Sequence, residues 1–253
     1  RSFADRNEYL GDPDFIDCQM DLLLSESHLE KMARSIDPLK ATSSKSLISD
    51  ESLPKESEQT THYSVVDRHG NGVAVTTTLN GSFGSKVLVP GAGFLLNNEM
   101  DDFTSRPGVP NLFGLVQGKP NGISPGKRPL SSMSPTVCLS EGGPDAEEVL
   151  SVLGTPGGPT IITNVFQVLY ALDHLELSPE LAVTMPKMHH QCLPDRLDLE
   201  KGTPDSTQAV LKDMNHRIAT RGSIGDFQLI SRMYRDSWVG ISDPRGAGAI
   251  YQQ

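Results

Sequence analysis

The chain has 253 residues and a mass of 27.4 kDa, enough for one sizeable hydrophobic core or two small ones. It carries 22 basic and 32 acidic side chains, a net charge of -10, so it lacks the cationic footprint that grips a phosphate backbone, and no nucleic-acid partner is expected. No apolar run approaches the roughly 20 residues that cross a bilayer, which excludes a membrane-spanning helix from the expectations.

The chain opens at Arg1 with no initiator Met and no apolar leader, which reads as a fragment or processed product. Residues 1–59 hold 7 basic and 13 acidic side chains and are more acidic than the remainder. Arg1, Asp5, Arg6, Asp12 and Asp14 read as a charged surface stretch. Leu22 to Ser35 has apolar residues at helical spacing, with Ser25 as N-cap, and predicts a short amphipathic helix. Residues 35–59 contain seven serines, two prolines and no aromatic. Such a segment buries too little apolar surface to offset its ordering entropy, so an exposed linker is expected.

At Thr60 the composition changes. Thr61 to Asp67 and Val73 to Leu79 are rich in β-branched residues and flank Arg68-His69-Gly70-Asn71-Gly72, which predicts an antiparallel hairpin. Asn80 to Ser134 is dense in Gly, Pro, Asn and Ser, and loops of that length tend to be functional or disordered. Glu147 to Gly154 reads as a buried strand, Pro156-Gly157-Gly158-Pro159 as a tight turn, and Thr160 to Leu175 as a helix facing inward through Ile161, Val165, Val168, Leu169 and Leu172. Asp226 to Met233 and Ser237 to Ser242 form a second hairpin pattern around Tyr234-Arg235-Asp236. Cys18, Cys138 and Cys192 are far apart and form no CxxC pair, which suggests neither a zinc ribbon nor a disulfide framework.

Several segments carry chemistry as well as structure. Thr60 stands where the serine-rich stretch meets a strand. Cutting the preceding bond would leave a threonine whose own α-amine serves as base. Ordinary β-propensity also accounts for Thr60-Thr61. Gly157 and Gly158, between a strand and a helix N-terminus, offer adjacent N–H groups for an oxyanion, or make a plain turn needing positive φ. The loop Arg128 to Pro135 packs hydroxyls suited to a carboxylate, and Asn97 to Phe103 packs carboxylates and amides suited to an ammonium; solvated loops are the alternative in both cases. His189-His190 lacks an acidic ligand set at metal-binding spacing, so no metal site is expected.

Taken together, these segments resemble the γ-glutamyltranspeptidase (γ-glutamyltransferase) family of N-terminal-nucleophile hydrolases. The likeness runs through Tyr9-Leu10-Gly11-Asp12-Pro13-Asp14-Phe15, Thr60-Thr61-His62-Tyr63-Ser64-Val65-Val66-Asp67, Leu95 to Phe103, Lys127 to Thr136, Gly157-Gly158 and Ser242-Asp243-Pro244-Arg245, in order. The resemblance implies an α+β fold, a four-layer αββα sandwich partly incomplete in this chain. Residues 1–59 would be the end of the large subunit and 60–253 the small catalytic subunit, one composite domain that needs the remaining large-subunit segment as partner.

The implied activity is hydrolysis and transpeptidation of glutathione and other γ-glutamyl amides after autocleavage at Gln59-Thr60. Thr60 would form an acyl-enzyme that water, an amino acid or a peptide then takes over. By resemblance Thr78 positions Thr60, Gly157 and Gly158 form the oxyanion hole, Asn80, Glu99 and Asp102 hold the donor's α-ammonium, and Ser131 and Ser132 its α-carboxylate. Phe113 would lie in a lid loop, Pro107 to Gly114, where the family often has Tyr. No metal or organic cofactor is implied, and the implied location is periplasmic or extracellular. Two alternatives are an N-terminal-nucleophile acylase of different acyl preference and a non-catalytic light-chain-like protein; Asn80, Asp102, Ser131 and Ser132 favour the γ-glutamyl reading.

Overall fold

The computed structural model describes residues 1–47, 60–140, 148–234 and 237–252. The fold is α+β and divides into two compact units: the described residues of 1–57, 98–131 and 189–220, and those of 58–97, 132–188 and 221–253.

In the first unit, α1 (Ser2–Tyr9) and the four-residue α2 (Met20–Leu23) precede α3 (Glu26–Arg34). Ser25 caps α3 as its position suggests, its hydroxyl accepting from the His28 N–H at 3.2 Å. The helix therefore begins at Glu26, and Leu22 and Leu23 belong to α2. Of the stretch 35–59, residues 48–59 lie outside the described residues. Residues 35–47 are mostly exposed, but Ser44 is buried because Asp195 accepts from its N–H and its hydroxyl, each at 3.0 Å.

Within the charged stretch at the start, Asp14 is exposed as expected, but Arg6 and Asp12 are not surface residues. Arg6 is only 8% exposed and Asp12 3%. The Arg6 guanidinium donates to Asn7 Oδ1 and to the Ser131 carbonyl, and lies 6.0 Å from the Phe3 ring centroid. Asp12 accepts from the backbone N–H and the guanidinium of Arg128, with N···O distances of 2.5 to 3.0 Å. The Arg128 partnership holds the Asp12 carboxyl well below the usual carboxylate range.

The second unit is built on the predicted hairpin, β1 (Thr60–Val66) and β2 (Gly72–Thr78), paired from Thr60↔Thr78 to Val66↔Gly72. A four-stranded antiparallel sheet follows. Its strands β3 (Thr136–Leu139), β4 (Val149–Gly154), β8 (Gln228–Tyr234) and β9 (Ser237–Ser242) stand in that order. The reading of Glu147 as strand and the turn residues Arg235 and Asp236 lie outside the described residues.

Alternation along β4 gives the sheet two buried faces. Val152 points at the hairpin, where Gly72 leaves it room, while Leu153 joins the core of α4 (Thr160–Asp173) and α5 (Pro179–Thr184). That core includes Ile161, Val165, Val168, Phe227 and Leu229, each contributing roughly 1.5–3 kcal/mol by burial. Gly154 is required: a Cβ there would run into the ring of His62, which the hairpin presses against the sheet. Thus hairpin, sheet and helices form three successive layers in this unit. Tyr63, Val65 and Val73, on the opposite face of the hairpin, are exposed.

Between these parts the chain adds β5 (Met188–His189), β6 (Leu197–Glu200), α6 (Asp205–Asp213) and β7 (Ile218–Arg221), with β5, β6 and β7 in a three-stranded sheet. No helix among the described residues is long and apolar enough to cross a membrane.

Candidate active site

The hairpin's equal strands place Thr60, the first residue of β1, opposite Thr78, the last of β2. The Thr60 hydroxyl donates to Thr78 Oγ1 at 3.1 Å, and Thr78 Oγ1 also accepts the Asn80 N–H at 2.9 Å. Asn80, buried and at φ 72°, turns the chain away directly after this contact. Two further residues of β1 share the Thr60 face. The buried His62 shares hydrogen bonds with Thr76 Oγ1 at 2.7 Å and Ser64 Oγ at 3.1 Å. Burial lowers its pKa to about 4, so at neutral pH it is an uncharged strut.

Thr60, Thr78 and Gly157 line one cavity of about 560 Å3. Gly157 stands at φ 133° and Gly158 at φ 54°. The Gly157 carbonyl is taken by Thr160, through its hydroxyl at 2.8 Å and its N–H at 3.1 Å. Among the described residues the N–H groups of Gly157 and Gly158 donate to nothing, and both precede the N-terminus of α4. Unused N–H donors at a helix's positive end are what a developing oxyanion needs. A side chain at Gly157 would collide with the Thr160 hydroxyl, which fixes the residue as glycine on steric as well as dihedral grounds.

The residues lining the same cavity to which the sequence reading gave no site role include Phe83, Ser223, Asp226 and Arg245. Arg245 donates to Asp243 Oδ1 and to the carbonyls of Val183, Thr184 and Met185, capping the C-terminal turn of α5. Lys187 Nζ, fully buried, donates to Ala182, Val183 and Met185 carbonyls of the same turn. The one local signal was the sequence Asp243-Pro244-Arg245, already part of the resemblance.

Glu99, Asp102, Ser131 and Phe113 lie in the first unit, and Asn80 and Ser132 in the second. Glu99 and Asp102 share one 3-10 turn, Glu99–Asp102. Burial, and then repulsion from Glu99, raise the Asp102 pKa to about 7, while Arg6 opposes the shift. Burial also raises Glu99. Asn121, fully buried and not singled out by sequence, ties this turn to the serine loop. Its amide donates to the Asp102 carbonyl at 2.7 Å, and its oxygen accepts the Leu130 N–H at 2.9 Å. Arg6 does the same from another side by holding the Ser131 carbonyl at 3.2 Å. The Phe113 side chain is buried, with its carbonyl accepting from Gln191 Nε2. The Ser132 carbonyl accepts from the Ser134 hydroxyl at 3.1 Å.

The family profile described as Gamma-glutamyltranspeptidase matches residues 1–253. The chain belongs to this family. A glutathione hydrolase proenzyme of Escherichia coli (strain K12) is 43% identical over 244 residues, covering 96% of this chain and 41% of that protein. A solved gamma-glutamyltranspeptidase from Pseudomonas nitroreducens, complexed with L-DON, is 44% identical with a TM-score of 0.70 and covers 76% of this chain and 99% of its own. The transpeptidase CapD of Bacillus anthracis, at 23% identity and a TM-score of 0.58 over 76% of this chain and 99% of its own, shares the fold. Set against the Escherichia coli family member, the chain spans about two fifths of the relative's length.

Proposed function

We propose that this chain carries the nucleophile of a γ-glutamyl hydrolase and transpeptidase that cleaves glutathione and related γ-glutamyl amides. The observation that carries the reading is the Thr60–Thr78 hydroxyl contact at 3.1 Å in a cavity that also holds Gly157. After cleavage of the Gln59-Thr60 bond, the new α-amine takes the Thr60 hydroxyl proton and Oγ attacks the γ-glutamyl carbonyl. Thr78, itself held by the Asn80 N–H, keeps the hydroxyl in one orientation. The Gly157 and Gly158 N–H groups receive the oxyanion. His62 is uncharged and bonded to Thr76 and Ser64, which fits a mechanism whose base is the terminal amine.

Recognition of the donor follows the family resemblance: Asn80, Glu99 and Asp102 for the α-ammonium, Ser131 and Ser132 for the α-carboxylate, and Phe113 in the lid loop. The tie of Asp102 and Ser131 to the common props Arg6 and Asn121 supports that division. The finer fold we infer is the four-layer αββα sandwich. The second unit supplies successive hairpin, sheet and helix layers, and the exposed Tyr63, Val65 and Val73 await a further layer from the rest of the precursor. Action in the periplasm or outside the cell is part of the same proposal.

Intact-mass spectrometry of the full-length protein tests the nucleophile. Wild type yields a fragment beginning at Thr60, and Thr60→Ala yields none and loses turnover by roughly 10^3-fold or more. Thr61→Ala still cleaves. Cleavage persisting in Thr60→Ala would remove Thr60 from the mechanism.

A further inference from the structure

The cavity beside Thr60 contains a carboxylate to which the donor chemistry gives no task. Asp226 lines it together with Thr60 and Gly157. Its backbone N–H donates to Thr155 Oγ1 at 3.0 Å, one residue before Pro156. The preceding Gly225 packs against the oxyanion turn: a Cβ built on Gly157 would lie 3.9 Å from Gly225 Cα. On its other flank Asp226 is pinned by Gly246, where any side chain would strike both carboxylate oxygens.

Among the described residues the half-buried Asp226 carboxylate receives one hydrogen bond, from Gln228 Nε2 at 2.9 Å. Among the described residues no Lys, Arg or His pairs with it, and the guanidinium of Arg245 is turned to Asp243 and the end of α5. An ionised carboxylate offers about four acceptor sites, so capacity is left over in a cavity shared with the nucleophile. Burial, then Asp243, raise its pKa above the ordinary value, the direction expected where a cation is wanting.

We propose that Asp226 is an acceptor-binding residue: its carboxylate receives the α-ammonium of the amino acid or peptide that takes the acyl group from Thr60. The proposal rests on γ-glutamyl transfer as the reaction of this site. An ammonium held there gives one proton to Asp226. The freed lone pair forms the new C–N bond at the acyl carbon as the C–Oγ bond to Thr60 breaks, and a second nitrogen proton passes to Thr60 Oγ. Water, the competing acceptor, carries no charge to be read. Asp226 therefore bears on how the acyl-enzyme divides between transfer and hydrolysis.

The test uses the full-length, self-cleaved protein with γ-glutamyl-p-nitroanilide as donor and glycylglycine as acceptor. Asp226→Asn, which keeps the shape beside Gly246, raises the KM for glycylglycine at least tenfold and lowers the transfer-to-hydrolysis ratio by a similar factor. An unchanged acceptor KM and ratio would overturn the proposal. Calorimetric binding of glycylglycine and of N-acetylglycylglycine to the wild type gives a second reading that needs neither turnover nor a folded variant. Preference for the free amine supports Asp226, and equal binding of the two overturns it. A wild type that prefers the free amine yet leaves the anilide intact retains the amine site and refutes the γ-glutamyl donor reading.

Discussion

The two units achieve order by different means, and the difference separates the parts of the proposed chemistry. In contact with Thr60 and at the glycine turn the second unit uses small and neutral groups, two threonine hydroxyls, open glycine N–H groups and an uncharged histidine, with the charged Asp226 and Arg245 elsewhere in the lining of the same cavity. Its precision comes from strand register and from glycines that allow backbone and ring to approach. The second unit's buried Lys187 serves the end of α5, whereas the first unit gathers its charges around the residues proposed to read the donor. Arg6, Asp12, Glu99 and Asp102 are held in or near its interior by partners far along the chain, Arg128 and Ser131 among them. Bond-making needs fixed dipoles that do not titrate, whereas reading a zwitterion needs charges whose desolvation is compensated.

The largest effect that would break this contrast lies at Arg6. Replacing it by Met removes the cation that opposes the rise in Asp102 and the buried donor that holds Asn7 Oδ1 and the Ser131 carbonyl, and losing such charged hydrogen bonds costs about 3 kcal/mol. Chemical denaturation of Arg6→Met against wild type reads it directly. A loss below about 1 kcal/mol would mean that charge does not hold the first unit together. Next comes Gly157→Ala. The substitution strains a residue at φ 133° and drives a methyl into Thr160 Oγ1, displacing one oxyanion donor. We expect kcat to fall about 10^2- to 10^3-fold with little change in donor KM. Gly158→Ala, at the left-handed φ of 54° that costs only about 1–2 kcal/mol, falls less far. Equal losses at both would assign the strain to the turn as a whole.

The same contrast governs what was legible in the sequence. Hairpin β1–β2, helix α4, strands β8 and β9 and the Ser25 cap are local matters of β-branching, helical spacing and capping, and each stands within a few residues of its expected place. The expected strand over 147–154 matches β4, though its first residue lies outside the described ones. Once the hairpin is drawn with equal strands, Thr60 opposite Thr78 follows from register; their roles came from the resemblance. What escaped was set by distance along the chain. Asp12 reads as a surface charge because Arg128 is 116 residues away, and Arg6 because Ser131 is 125 away. Short elements such as β3, β5 and α5 carry too few residues for a periodic pattern, and packing against neighbours defines them. Asp226 and Arg245 belong to loops, where side-chain direction depends on glycines whose purpose appears only in three dimensions.

The finest test of the contrast is pH. Asp102 has a pKa of about 7 in the folded chain, against 3.8 as its ordinary value. Because folding raises it, the folded state favours the neutral form. Its contribution to stability is present below pH 4 and is lost as pH rises from about 4 to 7. Binding has the opposite sign, since a donor ammonium needs the carboxylate. The kcat/KM for an α-amino donor therefore falls by about tenfold per unit as pH drops below about 7. A glutaryl donor, which has no ammonium, keeps only the limb of the Thr60 amine that serves as base for both donors, and so falls less steeply. Glu99→Gln removes the repulsion that helps raise Asp102 and shifts the Asp102 limb to lower pH. The Thr60 site contributes nothing similar near pH 7 through His62, because that ring titrates near pH 4. If the two donors fell with the same slope, the Thr60 amine alone would account for both, and the assignment of ammonium reading to Asp102 in the first unit would fail.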